Sequence, residues 1–167
     1  MPLTQSGRFP VYAALCVVSL VFGFLRRAWL ARASIAVLAL LAVWTTSDFF
    51  KGLFTRERPH GQLVFHEASF GYASSHAALA LTFYGIWALF AWRSGLPRPL
   101  RSAFGGAAAV LVAAIGWSRL ALGAHYLSDV IGGYLLGATF VCIVAAAVRR
   151  QSEVRPTPVT VEVRGRR

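Results

Sequence analysis

Apolar residues along this chain do not recur every third or fourth position with polar residues between them; they run together. Five stretches, at about 9–25, 33–50, 77–92, 103–117 and 127–148, carry almost no charge, and within 11–25 Ser19 is the only polar side chain. A surface helix of a soluble protein keeps a polar face, and these stretches keep almost none. The pattern predicts an all-α integral membrane helical bundle of about five transmembrane helices. Several stretches lie near the lower end of the roughly 17–25 residues a bilayer-crossing helix needs. Small residues recur inside them, notably Gly105 to Ala109 and Gly132, Gly133 and Gly137, as expected where membrane helices approach closely. The Gly133-x-x-x-Gly137 spacing suits either a dimer face or packing within the chain. The division expected is a membrane-embedded unit over 1–148 and a disordered basic cytoplasmic tail over 149–167, which contains Pro156, Pro158 and repeated Arg.

Composition sharpens this reading. With 57% hydrophobic and 14% charged residues, the 167-residue chain is a single domain outside the usual range of soluble proteins. Its net charge of +11 comes from 17 basic and 6 acidic residues. These basic residues sit between apolar runs rather than along one polar face, which argues against nucleic acid as a partner and for loops flanking spans. Cys16 and Cys142 lie inside apolar runs and read as small hydrophobes, with no spacing for a metal site or a disulfide framework. Only Arg8 precedes the first apolar stretch, which ends at Arg26-Arg27 without a small-residue cleavage site. It reads as a retained span rather than a removed signal peptide.

Charge also orients the path. On an alternating route, Arg26, Arg27, Arg32, Arg93, Arg98, Arg101 and the six arginines of the tail fall on one side. Arg8, Lys51, Arg56, Arg58 and Arg119 fall on the other. The richer side is expected in the cytoplasm by the positive-inside rule. This puts the C-terminus inside and the poorer side at the exterior of the plasma (inner) membrane, or the periplasm.

Three polar clusters separated by up to eighty residues converge on that outer side. Lys51 to Pro59 leaves the second span, Tyr72-Ala-Ser-Ser-His76 enters the third, and Ser118-Arg119 to His125 and Asp129 joins the fourth to the fifth. Lys51, Arg58 and Arg119 would repel one another by several kcal/mol if gathered at a low-dielectric wall without an anion, about 4 kcal/mol per pair at 4 Å and a dielectric near 20. Their joint purpose is therefore to receive a multiply charged group, for which Arg offers a planar fork and Lys a point charge. Lys51 is the only lysine beside sixteen arginines, which marks a position needing an ammonium. Ser74, Ser75 and the backbone N–H groups opening the third span add donors where the helix dipole favours an anion. If the fifth span begins near Ala124, His125 and Asp129 share a face of its first turn. The carboxylate then takes the Nδ1–H and leaves Nε2 as a nucleophile, while His76 protonates a leaving oxygen. Taken singly, His76 reads as a packed side chain, and Arg58 and Arg119 as snorkelling cations. Ionisable groups clustered at membrane level change that reading, because their cost there demands a use. The chemistry implied is phosphoryl transfer, and it requires no cofactor and no metal.

These residues resemble the signature of the type 2 phosphatidic acid phosphatase superfamily, K-x6-R-P, P-S-G-H and S-R-x5-H-x3-D. Lys51, Arg58 and Pro59 match the first motif, and Ser118, Arg119, His125 and Asp129 the third. In the second, Ser74 and His76 match, but Ala73 stands for the proline and Ser75 for the glycine. The resemblance implies a phosphohistidine at His125 stabilised by Asp129, with His76 as acid. It further implies that Lys51, Arg58, Ser74 and Arg119 hold the phosphate. Membrane members commonly have six spans, and this chain shows five by pattern. The expected activity is a bacterial membrane phosphatase removing phosphate from a lipid phosphate or diphosphate, polyprenyl or phospholipid, at the outer leaflet. The bilayer would hold the substrate's tail. Two other readings stay open at this point: a lipid phosphotransferase sharing the covalent intermediate, and a non-catalytic binder of anionic lipid. The sequence leaves the lipid and the oligomeric state open. His60, His66 and Glu67 in the 61–71 region and its flank read as solvated loop residues. Trp29, Trp92 and Trp117 read as interfacial anchors, and Trp44 and Trp87 as bundle packing.

Overall fold

The computed structural model describes residues 9–60 and 69–154. Among them there are five α-helices and no strand: α1 Phe9–Leu25, α2 Leu30–Phe54, α3 Ser75–Trp92, α4 Arg98–Ala121 and α5 Leu127–Val154. Helices α2 to α5 are each long and apolar enough to cross a membrane, and α1, at 17 residues, is shorter. All five expected stretches are helices, but four of them extend past the apolar pattern, α3 by two residues at its start. α2 runs one turn beyond residue 50, which places Lys51 inside its last turn. α4 extends at both ends, so Arg119 sits in its last turn rather than in a connection. α5 continues from 148 through Val154, and the remainder of the expected tail lies outside the described residues. Hydropathy marks the part of a helix at lipid depth, whereas backbone hydrogen bonding sets its ends.

The bundle is organised around α3, which packs against α2, α4 and α5, while α1 packs on α2. Its buried face is rich in small residues. Ala77, Ala78 and Ala80 are completely buried, and Ile86 and Phe90 fill the half farther from its N-terminus. The approach of α5 to α3 explains the glycine pair: a Cβ on Gly133 would lie 2.5 Å from the Ser74 carbonyl oxygen, and one on Gly137 2.8 Å from that of Ala78. Gly133-x-x-x-Gly137 is therefore a packing seam inside the chain, the small-residue contact by which membrane helices gain dispersion energy. Tyr12, Leu40, Val43, Phe83 and Ile115 form one core cluster, and Ala36, Ile86, Phe90 and Val144 another nearer the opposite end.

The outer surface is apolar. Val18, Val110, Leu135 and Ile143 each expose more than half of their area, as a lipid-facing surface requires. Trp92 and Trp117 are exposed near helix ends, in agreement with anchoring. Trp29 instead stacks on Trp87, with ring centroids 6.2 Å apart, so it belongs to the bundle. Trp44 is exposed and faces outward, not into the core. Cys16 and Cys142 are both free thiols on helices.

Candidate active site

Four helix ends meet at one end of the bundle: the C-termini of α2 and α4 and the N-termini of α3 and α5. The local chemistry suits each end. Lys51 and Arg119 occupy the last turns of α2 and α4, where a cation complements the helix dipole. The starts of α3 and α5 turn their unpaired backbone N–H groups toward the same region. A backbone hydrogen bond from the Ser74 N–H to the Asp129 carbonyl, 3.0 Å, ties those two starts together.

The link between α4 and α5 is a tight helix stop. Gly123 adopts φ 63°. Its N–H donates to the Leu120 carbonyl at 2.9 Å, and the Ala124 N–H to that of Arg119 at 3.0 Å. This is the Schellman arrangement, in which a left-handed glycine closes the helix. It delivers His125 directly above the last turn of α4. α5 begins only at Leu127, so His125 and Asp129 do not meet as neighbours on one helical face. His125 precedes the helix. Asp129, in the first turn, accepts the Tyr126 backbone N–H on Oδ2 at 2.9 Å, the acidic half of a capping box. That same oxygen lies 3.6 Å from His125 Nδ1. The cap, rather than helical spacing, brings the two groups close, but at 3.6 Å they are not hydrogen-bonded, and His125 Nδ1 has no hydrogen-bond partner among the described residues.

Arg58 is buried and ties two segments together. Its Nε donates to the Ser69 carbonyl at 2.7 Å and its Nη2 to Ser69 Oγ at 3.1 Å. Its Nη1 donates to the Ala124 carbonyl at 3.0 Å and approaches His125 Nε2 at 3.1 Å. A guanidinium has no acceptor, so the Nε2 facing it presents its lone pair, and the imidazole proton sits on Nδ1 toward Asp129. Burial first, and then the positive charges of Arg58, His76, Arg119 and Lys51, hold the His125 imidazole well below its ordinary range. His125 is thus held in its neutral form, with Nε2 directed at the Arg58 guanidinium.

The remaining expected residues fall around this centre. Arg119 is 1% exposed, and its Nη1 lies 3.2 Å from Nε2 of His76, the second residue of α3. Lys51 is close enough for its charge to act on His125. Ser74 precedes the first residue of α3, fully buried, and its Oγ has no hydrogen-bond partner among the described residues. A hydroxyl held dry without a partner is poised to donate to an incoming acceptor. Ser75 is placed differently: its Oγ pairs with Ser47 Oγ at 2.8 Å, leaving its backbone N–H as the group that can serve the site. Ser118 turns its Oγ back to the Ile115 carbonyl, 2.7 Å away. His60 is exposed, while His66 and Glu67 lie outside the described residues.

Two contributors escaped sequence reasoning. Ser47, buried on α2, also reaches the Ala73 carbonyl at 3.3 Å and so supports the segment where Ala73 and Ser75 replace the motif residues. Arg56, counted only among the outer-side cations, binds Asp129 Oδ1 at 2.9 Å. Its nearness to the motif arginine was the available signal, but the turn that aims it was not legible in the spacing.

The family model described as the PAP2 superfamily matches residues 29–153. Phosphatidylglycerophosphatase B of Bacillus subtilis (strain 168) is 37% identical over 87 residues, covering 49% of this chain and 41% of that protein. The chain therefore spans less than half the length of that curated relative. The crystal structure of a transmembrane PAP2 type phosphatidylglycerolphosphate phosphatase from Bacillus subtilis superposes with a TM-score of 0.82 at 25% identity. The match covers 92% of this chain and 77% of that one. Apolar helices, a shared bundle and a family match over most of the chain lead to one conclusion: this multi-pass membrane protein belongs to the PAP2 superfamily.

Proposed function

We infer that the protein is a lipid phosphatase that removes a terminal phosphate from a phospholipid or polyprenyl phosphate, working through a phosphohistidine at His125. The observation carrying this reading is the His125 imidazole, held between the Asp129 carboxylate on Nδ1 and the Arg58 guanidinium on Nε2. That arrangement presents a neutral nucleophile to a cluster of cations.

The chemistry proceeds in two steps. Phosphate oxygens draw the N–H groups of Arg58 and Arg119 away from the imidazoles they face, with Lys51, Ser74 Oγ and the N-terminal amides of α3 completing the cradle. His125 Nε2 attacks phosphorus as the P–O bond to the lipid breaks. His76, released from Arg119 and protonated on Nε2 by solvent or by the entering phosphate monoester, gives that proton to the departing oxygen. The imidazole, now carrying phosphorus on Nε2 and a proton on Nδ1, is positively charged, and Asp129 stabilises it. In the second step His76 takes a proton from water, the resulting hydroxide attacks phosphorus, and the P–N bond breaks to return His125 and inorganic phosphate.

Position favours a lipid substrate. The cluster lies where the helix ends leave the apolar belt, so a headgroup can enter while its chains stay in the bilayer. The name of the Bacillus relative supports phosphatidylglycerol phosphate as one substrate. The 12-to-5 division of basic residues supports a site at the outer leaflet of the plasma membrane and a cytoplasmic C-terminus.

The test is phosphate release by the purified protein in detergent, with EDTA present, from dioctanoyl phosphatidylglycerol phosphate, dioctanoyl phosphatidic acid and a short polyprenyl diphosphate. Wild type should hydrolyse at least one of them and be inhibited by vanadate. His125→Ala should lose at least about a thousandfold, the scale of removing a covalent nucleophile. Full activity in His125→Ala would sink the assignment.

A further inference from the structure

Asp129 can steer His125 only if its own carboxylate plane is fixed, and the structure shows what fixes it. The side chain is completely buried. Oδ2 is held by the Tyr126 backbone N–H, an arrangement that leaves the carboxylate able to pivot about that oxygen. Arg56 supplies the second point. Its Nη1 donates to Asp129 Oδ1 at 2.9 Å and to Ser128 Oγ at 2.7 Å, and its guanidinium lies over the Tyr126 ring, 4.7 Å from the centroid. Its side chain is 40% exposed, so one edge of the guanidinium meets solvent while the other closes over the buried carboxylate.

The approach of Arg56 is built into the chain before it. Thr55 ends α2 with φ 41°, its N–H bonded to the Lys51 carbonyl at 3.0 Å. This left-handed residue reverses the path so that Arg56 crosses to the first turn of α5. The Arg56 carbonyl then accepts the Gly71 N–H at 2.7 Å. A Cβ on Gly71 would sit 3.3 Å from Asp129 Oδ2, so the strand of chain at Gly71 closes the remaining side. Arg56 thus sits between Lys51 and Arg58 in sequence yet performs a different task from either. Arg58 faces the His125 ring and Lys51 acts on it through its charge, whereas Arg56 binds the carboxylate behind it.

We propose that Arg56 is a positioning residue for the hydrolysis, locking the Asp129 carboxylate at two points so that Oδ2 stays aligned with the Nδ1–H of His125. The role rests on the phosphohistidine reading above. It also supplies the countercharge that a buried carboxylate needs to offset its lost hydration.

The experiment measures kcat and KM for dioctanoyl phosphatidic acid with the full chain in detergent, comparing wild type, Arg56→Met, Arg56→Lys, Asp129→Asn and the Arg56→Met/Asp129→Asn double variant. Arg56→Met should lower kcat roughly 10- to 100-fold, the scale of one charge-assisted hydrogen bond, with KM within about twofold of wild type. Arg56→Lys should recover most of kcat. On the Asp129→Asn background, Arg56→Met should add no further loss, because both changes disable the same arm. Active wild type with Arg56→Met raising KM alone would show contact with the substrate headgroup and overturn the role. So would equal fold-losses on both backgrounds. If Arg56→Met does not survive purification, the kcat of Arg56→Lys against that of Arg56→Gln decides, and equal values overturn the role. A wild type that releases phosphate from no probe overturns the phosphatase reading and this role together.

Discussion

His125 illustrates how a burial cost becomes chemistry. Its imidazole is 4% exposed and surrounded by four positively charged or chargeable side chains, so protonating it in the folded protein is strongly opposed. In the unfolded chain it protonates near its ordinary value of about 6.5. Below that pH the unfolded chain binds one more proton than the native one, and native stability falls as the pH falls. Above it both forms are neutral and the contribution to pH dependence vanishes. Wild type should therefore lose more thermal stability in detergent between pH 7.5 and 5 than His125→Gln does. Equal losses would show that His125 titrates normally in the native protein. At this scale much of the site was legible: Lys51, Arg58, His76, Arg119, His125 and Asp129 announced themselves as ionisable groups at the ends of apolar runs. Arg56 did not, because its partner is chosen by a left-handed Thr55, and no spacing rule encodes that turn.

Helix ends, more than helix bodies, build this site. The bodies were readable because lipid demands uninterrupted apolar runs, and all five were found. The ends were not, because Lys51 and Arg119 continue the hydrogen-bonded turn after the apolar signal stops. The stop of α4 matters most, since only Ala124 separates Gly123 from His125 and the last turn of α4 carries Arg119. Gly123 at φ 63° lets the chain turn within hydrogen-bonding distance of that turn. An alanine there would meet the Cβ clash of the left-handed region, a cost of roughly 1–2 kcal/mol. The chain can relieve it by opening the Schellman bonds, which moves His125 away from Arg58. Gly123→Ala should therefore lower kcat/KM for dioctanoyl phosphatidic acid by about 100-fold, since misplacement of a reacting group by about 1 Å costs on that order. The accompanying fall in thermal midpoint should be only a few degrees. Activity unchanged in a folded Gly123→Ala would show that His125 is located by Arg58 and Asp129 alone.

Over the whole molecule, the bundle separates three environments that the chain visits repeatedly: an apolar belt, a cationic site at one end, and an arginine-rich rim at the other. The rim has its own chemistry. Arg27 lies over Phe24, Arg32 over Trp29 and Arg101 over Trp92, with guanidinium-to-ring distances of 4.4, 4.7 and 5.7 Å. These pairs join a charge to an aromatic body, the combination that settles at a membrane–water boundary. The cations at the opposite end are committed differently: Arg58 and Arg119 point into the site, and Arg56 is bound to Asp129. Subtracting the committed charges makes the asymmetry larger than the raw count, since few arginines at the site end remain to interact with anionic lipid. The positive-inside preference should then hold the rim firmly in the cytoplasm, with the site outside. A cysteine appended after Arg167 should resist a membrane-impermeant maleimide in intact cells and react after permeabilisation. A cysteine replacing exposed His60 beside the site should react in both conditions. Labelling of the appended cysteine in intact cells would invert the topology and move the reaction to the inner leaflet, while leaving the chemistry at His125 as described.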